Sequence, residues 1–179
     1  MITYIAILRG INVGGHRKIL MADLKLLLKK IGLKDCTTYI QSGNVVFSSN
    51  MSSNEIEKAI KEAIFKKYGF DVPVLIRTTD EIETVFSSNP FLPKETDINK
   101  LYVAFLAEKP LKEYLEKLKA IHFEDANYQI IGNHVYICYD TKVSNSKLTN
   151  NLIESKLKVT TTIRNWKTVT KLLEMSTKL

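Results

Sequence analysis

Cysteine, histidine, tryptophan and proline are all scarce here: two, three, one and four among 179 residues. Two cysteines, Cys36 and Cys138, are too few for the disulfide framework on which small secreted domains depend. Both are expected as reduced thiols in a cytoplasmic protein, with Cys36 a small buried hydrophobe. No CxxC occurs, and His16, His122 and His134 share no metal-ligand spacing, so no metal site is expected. Long apolar runs are missing too. The opening one, Tyr4–Leu8, is cut by Arg9, which excludes a signal peptide or a membrane span, and no membrane partner is expected.

What is present is basic charge, unevenly placed. The net charge is +7. Residues 1–34 carry +6, residues 35–139 carry −4, and residues 140–179 carry +5. If the two ends meet in the fold, they make a positive face suited to anionic partners. Lysines on the backs of helices that only solubilise the surface are the competing explanation.

Periodicity divides the chain in two. In residues 1–78 a buried strand at 3–8 precedes a helix with Leu24, Leu27, Leu28 and Ile31 at helical spacing, ended by Gly32. Strand-like runs at Thr37–Gln41 and Val45–Ser48 flank a Ser42-Gly43-Asn44 turn. Ser52 and Glu55 fit a capping box for a helix bearing Ile56, Ile60 and Ile64 and closed by Gly69. Val72, Val74 and Ile76 alternate as a last strand. Residues 79–99 hold a short helix near Asp80–Phe86 and the linker "NPFLPKETD".

Residues 100–179 repeat the order. Leu101–Leu106 is a strand, and Pro110 opens a helix with Leu111, Tyr114, Leu115 and Leu118 on its apolar face. Tyr128–Ile131 and His134–Tyr139 flank Gly132-Asn133, Ser146-Lys147 caps a helix through Leu148, Leu152 and Leu157, and Val159–Ile163 is a strand. A final helix starts near Asn165, with Trp166, Val169, Leu172 and Leu173 on its apolar face. The expected fold is α+β: two ferredoxin-like βαββαβ halves with antiparallel sheets and an extra C-terminal helix.

The segments "YIAILRGINVGGHRKILMADLKLLLKKIG", "TYIQSGNVVF" and "SKLTNNLIESKL…TTTIRNWKTVTKLLEM" resemble the hallmarks of the bacterial family catalogued as domain of unknown function 1697. The similarity runs along essentially the whole chain. It implies a two-part α+β fold with ferredoxin-like halves, and it implies no activity. Where family members often have a Pro-Asn-Gly-like turn, this chain reads "YDTKVSNSKL".

The stretch "LRGINVGGHRK" is the strongest candidate for a site. Gly10 and Gly15 are spaced as in a P-loop, but His16-Arg17 replaces the Lys-Ser/Thr pair that would hold a phosphate and Mg²⁺, so no nucleotidase motif is present. A dinucleotide GxGxxG also fails, and no cofactor is expected. A simpler role survives. Glycines such as Gly10, Gly14 and Gly15 can turn successive N–H groups toward an anion. Arg9, Arg17 and Lys18 can add charge-assisted hydrogen bonds, and Asn12 supplies donor and acceptor. Tight-turn formation alone is the rival account.

Ser42 and Asn44 belong to a turn without the glycine spacing of a nucleophile elbow. Arg164, Asn165 and Trp166 read either as a helix start over the core or as a cationic, aromatic platform for single-stranded nucleic acid, the former being favoured. The sequence thus points to an anionic partner, a phosphate-bearing small molecule or nucleic acid, held by Arg9, Gly10, Asn12, Gly14, Gly15, Arg17 and Lys18 together with Ser42, Asn44, Arg164, Asn165 and Trp166. An enzyme acting on a phosphorylated metabolite and a structural or protein-interaction module are the alternatives. The sequence assigns no catalytic residue.

Overall fold

The computed structural model describes residues 1–94 and 97–179; Glu95 and Thr96, within the expected linker, lie outside the described residues. The chain divides into two compact units, Met1–Thr84 with Lys171–Leu179, and Val85–Thr170.

The first unit runs β1 (Ile2–Leu8), α1 (Met21–Lys30), β2 (Lys34–Tyr39), β3 (Asn44–Ser49), α2 (Ser53–Tyr68) and β4 (Val74–Thr78), followed by α3 (Thr79–Ser87), in which the division between units falls. Its sheet has the order β2-β3-β1-β4, every neighbour antiparallel. This is the ferredoxin-like arrangement: each βαβ crossover skips one strand position, filled by β3 in the first crossover and by β1 in the second. Tyr4, Ala6 and Leu8 point to one core with Leu24, Leu28, Phe47, Ile56, Ile60 and Ile64. Ile5 and Ile7, on the opposite face of β1, are equally buried. Burial on both faces explains why this strand reads as a continuous apolar run rather than an alternating one.

The second unit repeats the pattern with β5 (Leu101–Leu106), α4 (Lys112–Lys119), β6 (Ala126–Ile131), β7 (His134–Tyr139), α5 (Asn150–Leu157) and β8 (Thr161–Asn165). Its sheet order is β6-β7-β5-β8, again antiparallel throughout. Ala104, Leu106, Leu118, Val135, Ile137, Leu148, Ile153 and Leu157 form its core. The added helix is α6 (Trp166–Ser176), and its last residues group with the first unit. The whole is α+β, two βαββαβ halves plus a C-terminal helix.

Several local expectations need correcting. Helix α4 begins at Lys112 with Leu111 as an extended N-cap, so Leu111 precedes the helical period and stays 63% exposed instead of joining the apolar face. Helix α5 is capped by Thr149, whose hydroxyl accepts the Leu152 N–H, the third residue on, at 3.1 Å. The Ser146 hydroxyl accepts the Leu148 N–H only two residues on, which makes a turn and starts no helix. Strands β4 and β8 each begin two residues later than their apolar alternation suggests, at Val74 and Thr161. No helix among the described residues is long and apolar enough to cross a membrane, and no cluster of three metal-ligating side chains occurs among them.

Candidate functional site

The loop after β1 is shaped by its backbone. Gly10, Asn12, Gly14, Gly15 and Arg17 all have φ between 47° and 78°. Glycine adopts this left-handed region without strain, and asparagine tolerates it. A small bridge between Val13 and His16 closes the tip, and the Asn12 N–H donates to the Arg17 carbonyl at 3.2 Å. The base is fixed from both sides. The Leu8 N–H donates to the Gly43 carbonyl at 2.8 Å, and the Arg9 N–H to the Pro73 carbonyl at 2.9 Å.

Asn12 is the loop's clasp. Its amide nitrogen donates to the carbonyls of Ile19 at 2.9 Å and Gln41 at 2.8 Å, and its oxygen accepts the Ile19 N–H at 2.9 Å. Both amide hydrogens are therefore committed to holding the loop against the β2–β3 turn. Ile19, half of that clasp, is 1% exposed and anchors the loop's exit in the core.

The cations sit differently. Arg17 and Lys18 are exposed, and neither makes an ion pair among the described residues. The Arg17 guanidinium lies over Gly10, where a Cβ would stand 3.4 Å from its Nη1. Arg9 is half-buried at the end of β1.

The β2–β3 turn packs against this loop. Gly43, at φ 81°, has no room for a side chain: a Cβ would stand 2.7 Å from Ile11 Cδ1 and 2.8 Å from Leu8 Cβ. The Asn44 amide donates to the Tyr39 carbonyl at 3.1 Å and to the Ser42 hydroxyl at 3.0 Å, so these two candidate residues bond to one another and shape the turn. Ile40 has φ 49°, a costly conformation for a β-branched residue.

Beside the loop lies a cleft of about 440 Å³, walled by Asn12, Gly15, Lys18, Ile19, Leu20, Asp23, Gln41 and Tyr68. Helix α1 starts at this cleft, and Leu20, its N-cap, offers no side-chain hydrogen bond to the first turn. Sequence reasoning missed Asp23 and Tyr68. Tyr68 was findable, because it continues the Ile56, Ile60, Ile64 spacing of α2 by one more step of four.

The C-terminal candidates belong to the second unit. The Asn165 carboxamide accepts the Thr168 N–H at 2.8 Å and caps α6. Trp166 is 2% exposed and stacks on Phe86 at 5.3 Å, so its ring is committed to the core and does not form an exposed platform. Arg164 is buried, donates to the Thr162 hydroxyl at 2.8 Å and to the Ile163 carbonyl at 3.0 Å, and burial pushes its guanidinium down to about 10. Arg77, on the corresponding strand of the first unit, is also buried and also lowered by desolvation. The repeat therefore carries a buried arginine in each half.

Cys36 is 2% exposed, its thiol donates to the Leu33 carbonyl at 3.6 Å, and burial raises its pKa. A thiol so placed is poorly disposed to nucleophilic chemistry. His134 makes an edge contact with Phe105 at 5.4 Å, as a packed strand residue does.

Among solved structures the chain is similar to conserved bacterial protein SP0830 from Streptococcus pneumoniae, with 23% identity, 98% of each chain covered and a TM-score of 0.78, which is a likeness of fold. No curated protein matches it. The model of the family described as protein of unknown function (DUF1697) matches residues 1–136, and the chain belongs to that family.

Proposed function

We propose that the protein binds a phosphate-bearing small molecule at the loop after β1. The observation that carries this reading is the pairing of two unengaged, exposed cations, Arg17 and Lys18, with a loop whose backbone is pinned by the three Asn12 hydrogen bonds. A pre-ordered cationic loop meets an anion without first losing loop entropy.

A small molecule suits the site better than nucleic acid. The loop borders a cleft, and the one tryptophan, the aromatic proposed to stack bases, is buried. A second reading, an enzyme acting on a phosphorylated metabolite, is favoured by the same cleft, since reactions need concave sites.

Calorimetric titration of pyrophosphate tests the proposal. Lys18→Ala and Arg17→Ala should each lower affinity roughly tenfold, as removal of a charge-assisted hydrogen bond does. Lys58→Ala, which removes an exposed partner of Glu62, should not. Equal affinities for all variants and the parent would refute it. Tight DNA or RNA binding that collapses as salt rises would transfer the site to nucleic acid.

A further inference from the structure

The cleft beside the loop has a composition that a bare phosphate does not explain. Ile19, Leu20 and the Tyr68 ring give it apolar walls. Lys18 places a cation at its edge, whereas Asp23 and Gln41 add an acceptor and an amide. A phosphate ion filling this space would face the Asp23 carboxylate and leave the apolar walls against water or charge.

Tyr68 supplies an independent observation. Its phenol oxygen is buried and has no hydrogen-bond partner among the described residues. Buried hydroxyls are nearly always satisfied, and one that is not calls for an explanation. The ring is held in place by its neighbours. It stacks on Phe70 at 5.8 Å, and the Lys67 ammonium lies 5.0 Å over its centroid. Tyr68 is a fixed residue of the cleft wall, and its hydroxyl, closed off from solvent, still lacks a partner among the described residues.

Resting on the phosphate-loop reading above, we infer that the ligand is a nucleoside monophosphate: its phosphate meets Lys18 and Arg17, and its flat heterocycle enters the cleft between Ile19, Leu20 and Tyr68. The ring's N–H groups suit Asp23, which only accepts, and its ring nitrogens or carbonyls suit Gln41 and the Tyr68 hydroxyl. A sugar phosphate matches the polar groups but not the apolar walls. A lipid phosphate matches the walls but offers nothing to Asp23 and Gln41.

The experiment compares pyrophosphate, ribose 5-phosphate, adenosine and guanosine, and AMP and GMP on the parent, Lys18→Ala and Tyr68→Phe. One of the two nucleotides should bind about tenfold or more tighter than ribose 5-phosphate, and its nucleoside should bind weakly. Tyr68→Phe keeps the ring and removes only the hydroxyl. It should lower nucleotide affinity about tenfold and leave pyrophosphate affinity unchanged. In the free protein it should leave the melting temperature equal or higher, because no hydrogen bond is lost, which separates this role from a structural one. Ribose 5-phosphate binding as well as both nucleotides, with Lys18 still required, would overturn the inference and leave the phosphate loop standing. Nucleoside binding that depends on Tyr68 but not on Lys18, without pyrophosphate binding, would overturn the phosphate loop and with it the monophosphate ligand. No binding of any of these compounds overturns both.

Discussion

Gly43 and Gly132 hold matching places in the two halves, each in the hairpin between the second and third strands, yet their surroundings differ. Gly43 is pressed against Leu8 and Ile11, while a Cβ on Gly132 would meet nothing within 4 Å. Both need a left-handed backbone, at φ 81° and 58°. Gly132→Ala should therefore cost only the backbone penalty, about 1 kcal/mol. Gly43→Ala adds overpacking against a strand residue that cannot move, and should cost about 3 kcal/mol. Denaturant unfolding of the two variants measures the difference, and equal losses would mean that the loop yields freely around Ile11. Trp166→Ala belongs to the same scale. It removes a buried ring stacked on Phe86 and should cost about 3–5 kcal/mol, whereas an exposed stacking platform would lose almost nothing. The sequence made Gly43 recognisable as a turn residue through its Ser-Gly-Asn context. It could not show the contact with Ile11, because that contact joins segments more than thirty positions apart.

At the scale of elements, the hydrophobic period and the cap residues were readable because each is a local property. Ser52 and Glu55 form the capping box of α2, with the Glu55 carboxylate accepting the Ser52 N–H at 2.8 Å. Those bonds to Ser52 hold the Glu55 carboxyl below its usual range. A lowered folded value means that its contribution is present above the unfolded carboxylate range and disappears as pH falls through the folded one. Ser52→Ala should cost about 1 kcal/mol at neutral pH, and the gap from the parent should narrow in acid as Glu55 protonates in both. The start of α5 was read wrongly for an equally local reason. Ser146 and Thr149 both bond to N–H groups ahead of them, and only the spacing, two residues against three, tells a turn from a cap. The β2–β3 turn was less legible still. Nothing in "YIQSGN" announces that Ile40 takes a left-handed φ of 49°. That conformation positions Gln41, whose carbonyl receives the Asn12 amide and which borders the cleft. Strain of this kind persists where surrounding contacts over-determine it. Ile40→Gly should relieve it and raise stability by about 1 kcal/mol, readable as a higher denaturant midpoint.

For the whole molecule, the repeat was legible because two βαββαβ orders and two glycine turns recur at matching places, and each forms its own four-stranded antiparallel sheet. The candidate loop after β1 does not repeat in this way. The cleft-bordering loop belongs to the first unit, and the corresponding β5–α4 connection of the second unit, Ala107–Leu111, is too short to build one. The second unit's distinguishing chemistry is instead a set of buried phenols. The Tyr136 hydroxyl donates to the Val85 carbonyl at 3.1 Å, and the Tyr139 hydroxyl to the Leu148 carbonyl at 2.7 Å. Burial pushes Tyr136 up to about 12 and raises Tyr139 as well. A phenol whose folded pKa exceeds its unfolded value of about 10 contributes stability that is complete below that value and is lost as pH rises through the folded one. The protein should therefore hold its stability through neutral pH and lose it between roughly pH 10 and 12. Thermal melts across that range give the measurement, with tyrosinate absorbance recorded alongside. In Tyr136→Phe the hydrogen bond to Val85 is gone, a loss of about 1 kcal/mol at neutral pH, and its share of the alkaline fall should go with it. A variant that melts lower at neutral pH but declines less steeply above pH 10 would match this placement of Tyr136. A variant with the parent's alkaline slope would show that the fall arises elsewhere, in Tyr139 or in the lysines of the surface.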